Sequence, residues 1–344
     1  MATKSIIGID EHIVNCNYSG IGEKTGEILG TGDFPTSATN LIRAVNQFPA
    51  PRIVVIEQGP LAEWTARVLE KYVEEVVVAD TQRNSWIARD PLKNDDIDGE
   101  KLALLYIGGY IKRIIPRSTE KQELVSLVIH YHSLVQESTR LKNKVGAKFR
   151  QGGKRKIGEN SYRKESIERD MGYLSHNKGL QMIVRNYHAQ LEIVEQQKER
   201  VTQRIQKLSC NYPEVAFLDS FPGIGFVGSA TLSALIDVPE RFATVKKLWI
   251  YCGYGLDCPS SGSRFGNTRI TKRGNRYLKG VIGIATHNIV TISKNDNLYK
   301  SWYDENLKKG KNPGNLKANL ARKLIKDIWL GWRAFNQSAL KQAA

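Results

Sequence analysis

Over its first hundred residues the chain alternates short apolar runs with helical patterns. SIIGID is followed by HIVNCNYS, a glycine-rich turn at GTGDFP, an amphipathic stretch around LIRAVNQF, the run RIVVIEQG, a helical LAEWTARVLEKY and the run VEEVVVAD. Apolar runs of this length separated by helices predict an α/β unit with a largely buried sheet. The period changes over residues 118–148, where Leu124, Val128, Tyr131, Val135, Ser138, Leu141 and Val145 fall near heptad spacing. A second stretch keeps that register more closely through Leu180, Val184, Tyr187, Leu191, Val194, Val201, Ile205 and Leu208, with Lys198 the polar exception. The two stretches predict a coiled-coil arm, whose seam is served equally well by an intramolecular hairpin or a second subunit. Between them, FRQGGKRKIGENSYRKESIERD breaks the helix with glycines and carries seven basic residues, predicting a positive tip or flexible loop that includes Lys154, Arg155 and Lys156. The chain thus divides at the level of pattern into residues 1–117, 118–210 and 211–344.

At 344 residues, such a chain is long enough for two folded units and a connector. No window approaches 18 consecutive apolar residues and the N-terminus MATKSIIGID lacks an export pattern, so a soluble protein with no membrane partner is expected. Four cysteines (Cys16, Cys210, Cys252, Cys258) are too scattered for a disulfide framework or a CxxC metal site, and a reducing cytoplasm is the expected setting. The net charge of +16 is unevenly placed: residues 1–117 hold 13 Lys/Arg against 16 Asp/Glu, leaving 38 against 19 for the remainder. A strongly basic rear portion points to nucleic acid, bound through phosphate neutralisation and counterion release.

Carboxylates carry the chemistry of the front portion. Asp10 ends the apolar run IIGID, Glu57 ends RIVVIE, and Asp95 and Asp98 open the helical segment NDDIDGEKLALLYIGGYI, with Glu11 and Asp96 as adjacent competitors. Strand ends place side chains at one sheet edge, and positions three apart share a helix face. Four converging carboxylates repel one another unless divalent cations neutralise them, and oxygen-only ligation favours Mg²⁺, with Mn²⁺ as a substitute, over zinc. Two such ions can clamp the attacking and leaving oxygens of a phosphodiester.

In the rear portion, LDSFPGIGFVGSATLSALI joins two apolar helical patterns through Gly223-Ile224-Gly225, the form of a helix-hairpin-helix whose amides hold a DNA phosphate. Between Asp257 and Asp296 there is no acidic residue, while Arg264, Arg269, Lys272, Arg273, Arg276, Lys279 and Lys294 all fall there. At the front of this stretch Ser260-Ser261-Gly262 lies in a Pro/Gly-rich loop. A serine hydroxyl needs a base, a metal or surrounding positive charge to become a nucleophile, and with no nearby histidine before His287 the metal and the arginines are the expected activators. Spacing alone does not choose between Ser260 and Ser261.

These motifs in this order (GID, IEQGP, the DxxDGEKLA helix start, a helical spacer, PGIG, SSG, ITKRGNRYL and KKGKNPGNLKANLARKLIKDIW) resemble the DEDD transposases of insertion-sequence family one-ten, relatives of the Piv-type DNA invertases and now called bridge recombinases. The resemblance spans nearly the whole chain. It implies an N-terminal RNase H-like (RuvC-like) α/β domain with Asp10, Glu57, Asp95 and Asp98 as metal-binding acids. It further implies a helical coiled-coil spacer and a mainly α C-terminal transposase domain with Ser261 as nucleophile. The implied reaction is DNA transesterification through a covalent phosphoserine, guided by a structured bridge RNA that pairs with donor and target DNA, in homodimers that assemble into a tetramer. One departure is that CGYGLDCPSSG lacks the Pro-Arg dipeptide common before the family's serine loop. Two other classes use parts of the same sequence: a RuvC-like structure-specific endonuclease with water as nucleophile, and a non-catalytic nucleic-acid-binding protein.

Overall fold

A computed structural model describes residues 4–80, 95–111, 113–114, 120–257, 260–261, 264–265, 269–271, 273–291 and 297–343. The chain forms two compact units, Met1–Thr119 and Glu120–Ala344.

In the front unit, β1 (Ser5–Glu11), β2 (Asn15–Gly22) and β3 (Ile28–Pro35) form an antiparallel meander, followed by α1 (Ala38–Asn46), β4 (Arg52–Glu57), α2 (Ala62–Leu69), β5 (Glu75–Ala79), α3 (Asp95–Ile107) and the two-residue β6 (Arg113–Ile114). The sheet order is β3-β2-β1-β4-β5-β6, with β4 and β5 parallel to the central β1 and β6 antiparallel to β5. Being covered on both faces, β1 and β4 read as continuous apolar runs rather than as alternating ones. Ile7, Ile9, Val54 and Ile56 pack against Leu41 and Val45 of α1 and Leu69 of α2. On the opposite face Ile6, Ile53, Val55 and Val77 pack against Leu102 and Ala103 of α3.

GTGDFP, expected as a turn, is the greater part of β3. Its glycines suit an edge strand packed under aromatic rings, since a Cβ at Gly32 would stand 2.9 Å from the Tyr18 hydroxyl oxygen. A second close approach fixes α3. A Cβ on Gly8 would lie 1.9 Å from the Gly99 carbonyl oxygen, so strand and helix meet backbone to backbone.

The rear unit is mainly helical. It opens with α4 (Gln122–Gln151), α5 (Lys164–Asp170) and α6 (Lys178–Ser209), then α7 (Pro213–Asp219), α8 (Phe226–Ile236) and α9 (Val245–Tyr251). Four short strands follow, β7 (Leu256–Asp257), β8 (Ser260–Ser261), β9 (Arg264–Phe265) and β10 (Arg269–Ile270), and then α10 (Arg276–Thr291), α11 (Leu298–Lys308) and α12 (Pro313–Ala343). The periodic stretches are α4 and α6, and they pack against each other as an antiparallel hairpin. Leu134 and Leu141 meet Leu191 and Val194 halfway along, with Leu124, Val128 and Ile205 at the base. Each helix therefore fills the other's seam within one chain, with Leu134 buried where the heptad reading placed Val135. The polar break in the seam is a network, in which the Ser138 hydroxyl donates to Glu195 at 2.6 Å and Glu195 pairs with Lys198 and Lys142.

The base of the arm shares its core with α7 to α12, so the arm is part of the rear unit rather than a separate spacer. Its tip is folded rather than a loose loop, because Val145, Phe149, Ile167, Met171, Leu174, Leu180 and Val184 form a core of their own. At the centre of the unit α8 is buried all round from Ser229 to Ile236. Below it the Lys121 ammonium donates to the Asp237 carbonyl at 2.7 Å, pairs with Glu214 at 2.6 Å and faces the Trp332 ring. Trp332 and Tyr303 are buried core residues, and Trp329 is tied through its indole N–H to the Pro239 carbonyl at 3.1 Å.

Candidate catalytic carboxylates and serine hairpin

Two carboxylates stand side by side on the front sheet. In the parallel pairing of β1 with β4, Ile9 is registered with Ile56, so Asp10 and Glu57 are the next residues at the same end of adjacent strands. Side chains alternate along a strand, which puts Asp10 on the face of Ile6 and Gly8 and Glu57 on the face of Ile53 and Val55. That is the face covered by α3. The helix crosses β1 with Gly99 and Ala103 against Gly8, and Tyr106 further along it acts on Lys4 just before β1, so it runs opposite to the strand. Its first turn, with Asp95 and Asp98, therefore lies toward the strand end that carries Asp10. Asp95 and Asp98 thus begin the helix that covers the face of Asp10 and Glu57, while their side chains lie outside the described residues. Among the described residues no group of three His, Cys, Asp or Glu side chains is gathered for a metal ion.

Asp10 is nearly buried, and one of its carboxylate oxygens, Oδ2, lies 2.9 Å from Nε2 of His12, whose side chain is 58% exposed. His12 escaped the sequence reading. The signal for it was its place two residues past Asp10, which in strand period is the same face. Glu11, the competitor for the role of Asp10, lies on the other face, toward Thr65 of α2. Its carboxylate oxygens are buried beside the Thr65 hydroxyl. Burial pushes its carboxyl up to about 7, the nearby Thr65 hydroxyl pulls the other way, and the charge of Asp10 adds to the rise.

The serine segment is a hairpin within a hairpin. Outside, Asp257 pairs with Arg269 and Leu256 with Ile270, and at the root the Thr271 amide donates to the Gly255 carbonyl at 2.8 Å. Inside, Ser261 is registered with Arg264 and Ser260 with Phe265. The side chains of Ser261, Arg264 and Arg269, and all of Lys272, lie outside the described residues. Beyond the hairpin, Asn275 caps α10 by accepting from the amides of Tyr277 and Leu278. Arg273, Arg276 and Lys279 are exposed around that helix start. Arg276 stacks on Tyr277, with its guanidinium 4.8 Å from the ring centre, and donates to the Tyr277 hydroxyl at 2.7 Å. Tyr277 stacks in turn on His132.

The two glycines of the helix-hairpin-helix differ in use. Both have positive φ, but a Cβ at Gly223 would stand 2.5 Å from the Ala285 carbonyl oxygen, so this glycine lets the turn pack onto α10. Gly225 caps α8 with open space where a Cβ would be. In the arm tip, Lys154 is turned inward onto the buried Asp170 and over the Phe149 ring, while its neighbours Arg155 and Lys156 are exposed.

None of the curated proteins matches the chain. Residues 215–303 match a family model described as "Transposase IS116/IS110/IS902 family". The matched stretch runs from α7 into α11 and takes in the serine hairpin and the basic start of α10. On this match the protein is a DNA transposase/recombinase, similar over residues 215–303 to the insertion-sequence transposases of that family.

Proposed function

We propose that the chain recombines donor and target DNA by transesterification, with Ser261 as nucleophile and the front carboxylates as the metal-binding group. The reading is carried by the transposase match over 215–303, which encloses the serine hairpin within the chain's acid-free basic stretch. The front unit adds support. A β1-β2-β3 meander continued by parallel β4 and β5 is the strand order of RNase H-like domains, and Asp10 and Glu57 occupy neighbouring strand ends on the face covered by α3.

Asp10, Glu57, Asp95 and Asp98 offer only oxygen donors, which fits Mg²⁺ and its substitute Mn²⁺. When bound, the ions supply charge neutralisation at the attacking and leaving oxygens. The residues do the rest. Ser261 Oγ forms a bond to a DNA phosphorus, the bond from phosphorus to one strand oxygen breaks, and the serine proton ends on that leaving hydroxyl. A strand end from the partner duplex later attacks the same phosphorus and releases Ser261, so the phosphodiester energy is retained. Arg264, in register with Ser261, and Arg269, Lys272, Arg273, Arg276 and Lys279 hold the phosphates, with Gly225 of the helix-hairpin-helix and Arg155 and Lys156 at the arm tip as further contacts. Following the family resemblance, a bridge RNA selects both DNAs by base pairing, and a homodimer assembling into a homotetramer brings the acids of one subunit to the serine of another.

The test is a labelled element-end DNA incubated with protein, the element's non-coding RNA and Mg²⁺, then denatured. A covalent protein–DNA adduct is expected in the unaltered protein and in neither Ser261→Ala nor Asp10→Ala. Cleavage that persists in Ser261→Ala with free DNA ends overturns the proposal in favour of a water-dependent endonuclease.

A further inference from the structure

We infer that Arg322 clamps a DNA phosphate beside the serine hairpin and that Lys326 and Arg333 carry the same duplex onward along α12, outside the acid-free stretch between Asp257 and Asp296. The inference rests on the proposed reading of the hairpin as the reacting site and adds the surface that receives the flanking DNA. Contacts at the hairpin root place Arg322. Its Nη1 lies 3.5 Å from the Tyr254 carbonyl oxygen, its Nη2 donates to the Asn319 side-chain oxygen, and its own carbonyl accepts from the Trp249 indole N–H at 3.0 Å. Tyr254 is pinned in turn, since its hydroxyl donates to the Lys279 carbonyl at 3.2 Å and its amide to the Trp249 carbonyl at 2.8 Å. The next residue, Gly255, closes the base of the hairpin through the Thr271 amide.

A guanidinium has five N–H donors, of which these contacts use two. Among the described residues no carboxylate pairs with Arg322, and burial pushes its pKa down from the ordinary arginine value, the opposite of what a paired carboxylate does. A half-buried cation left unpaired carries a desolvation cost that an arriving phosphate removes, and the planar fork of arginine fits two phosphate oxygens. From Arg322 onward, positions 326, 329 and 333 stay on one helix face over about 16 Å. Lys326 is exposed, and the Arg333 guanidinium lies 4.7 Å from the ring centre of Trp329. The helix holds six Lys/Arg and one acid, Asp327, which lies off this face and accepts from the Tyr299 hydroxyl at 2.9 Å. Neither Lys326 nor Arg333 has an ion pair among the described residues. At the far end the Asn336 amide meets Glu240 at 3.2 Å, and this acid marks where the track stops. Tyr254 stands seven residues before Ser261, at most about 23 Å of extended chain against about 34 Å for one turn of duplex. The phosphate on Arg322 therefore lies within one turn of the attacked one.

The experiment uses the full-length protein, the element's non-coding RNA and element-end duplexes that each carry one neutral methylphosphonate, stepped over a turn on either side of the cut. Affinity is read by gel shift at several salt concentrations. Arg322→Gln keeps a donor toward the Tyr254 carbonyl and loses the charge. In the unaltered protein, a methylphosphonate at one position within that turn should weaken binding about tenfold. In Arg322→Gln the intact duplex should bind about tenfold more weakly, the salt slope should fall by about one, and the same methylphosphonate should cost nothing further. Lys326→Ala with Arg333→Ala should erase interference farther from the cut. An interference pattern in Arg322→Gln identical to that of the unaltered protein, which is also what a merely structural role gives, overturns the inference, as does a weakening confined to the RNA. An Arg322-dependent phosphate in a protein that forms no covalent adduct overturns the serine reading and leaves the Arg322 contact standing.

Discussion

The contact between Gly8 and Gly99 ties the fold to the carboxylates, and Gly8→Ala tests that tie. The added methyl would stand 1.9 Å from the Gly99 carbonyl oxygen, 2.9 Å from its carbonyl carbon and 3.0 Å from the Ala103 amide nitrogen. Ordinary contact begins at 3.4 Å, so α3 must lift or slide by about 1.5 Å, and all three obstacles are backbone. Overpacking of a well-packed site costs about 1–3 kcal/mol, and a rigid neighbour puts this case at the upper end. Against it stands about 0.5–1 kcal/mol from the lower backbone entropy of alanine in a strand. A net loss of about 2 kcal/mol follows, or roughly 6–12 °C in the melting of a unit of this size. Gly59→Ala is the control, since nothing lies within 4 Å of its added Cβ, and it should stay within about 0.5 kcal/mol of the unaltered protein. Calorimetry of the full chain, with hydrogen exchange of peptides from β1 and α3 to identify the front unit, gives both numbers. Because Asp95 and Asp98 ride on the displaced end of α3, Mg²⁺-dependent adduct formation should fall at least tenfold while DNA affinity, carried by the rear unit, stays within twofold. A Gly8→Ala protein that melts with the unaltered one would refute the backbone contact and the placement of α3 built on it.

Three further outcomes follow from buried charge. Lys154→Met leaves Asp170 buried beside only the longer Arg169 contact at 3.4 Å and should destabilise the arm tip by about 3 kcal/mol in denaturant unfolding, whereas Arg155→Ala with Lys156→Ala should leave stability unchanged and lower the salt dependence of nucleic-acid binding by one to two counterions. Lys121→Met removes the cation paired with the buried Glu214 and Asp237 and should cost the rear unit about 3 kcal/mol, measured by urea midpoint. Glu11→Gln keeps the shape of a buried carboxyl that burial holds at about 7 and should raise the metal-free melting point at pH 8, where the unaltered carboxyl is ionised, by an amount worth about 1–2 kcal/mol.

The front unit was legible because its strands are doubly covered and therefore write themselves as unbroken apolar runs. Asp10 and Glu57 could be picked from one sequence since each ends such a run, and strand pairing does place them at one edge. The β3 strand was not legible, because an edge strand under Tyr18 and Phe48 uses glycines that read as a turn. Periodicity found α4 and α6, but it is blind to whether the partner helix lies in the same chain, and only the packing of Leu134 and Leu141 on Leu191 and Val194 answers that. Counting charges marked the arm tip as basic. It could not tell that Lys154 is consumed by Asp170, since a residue 16 positions away in sequence neutralises it only through the folded tip. The packing role of Gly223 was hidden for a related reason, as positive φ is common to phosphate-binding turns and to tight helix packing, and the Ala285 carbonyl against which it packs lies on a helix 62 residues further on.

The choice between Ser260 and Ser261 shows what register adds to motif. Strand-paired positions fall on one face and consecutive positions on opposite faces, so a slip of one residue exchanges the two serines. The outer pairs of β7 with β10 and the bond from the Thr271 amide to the Gly255 carbonyl hold the base of the hairpin, and with that base fixed position 261 is registered with position 264 and position 260 with position 265. Arg264 is a permanent cation, able to bear on a phosphate beside its paired serine, while Phe265 offers no charge to stabilise a developing oxyanion. Ser260→Ala should therefore keep covalent adduct formation within about threefold, and Ser261→Ala should abolish it. Arg264→Lys, which keeps the charge but loses the planar fork, should slow the adduct by roughly tenfold or more without changing DNA affinity beyond twofold. Adduct yield under denaturing electrophoresis reads all three. An inactive Ser260→Ala beside an active Ser261→Ala would mean that the hairpin pairs one residue out of step when DNA is bound.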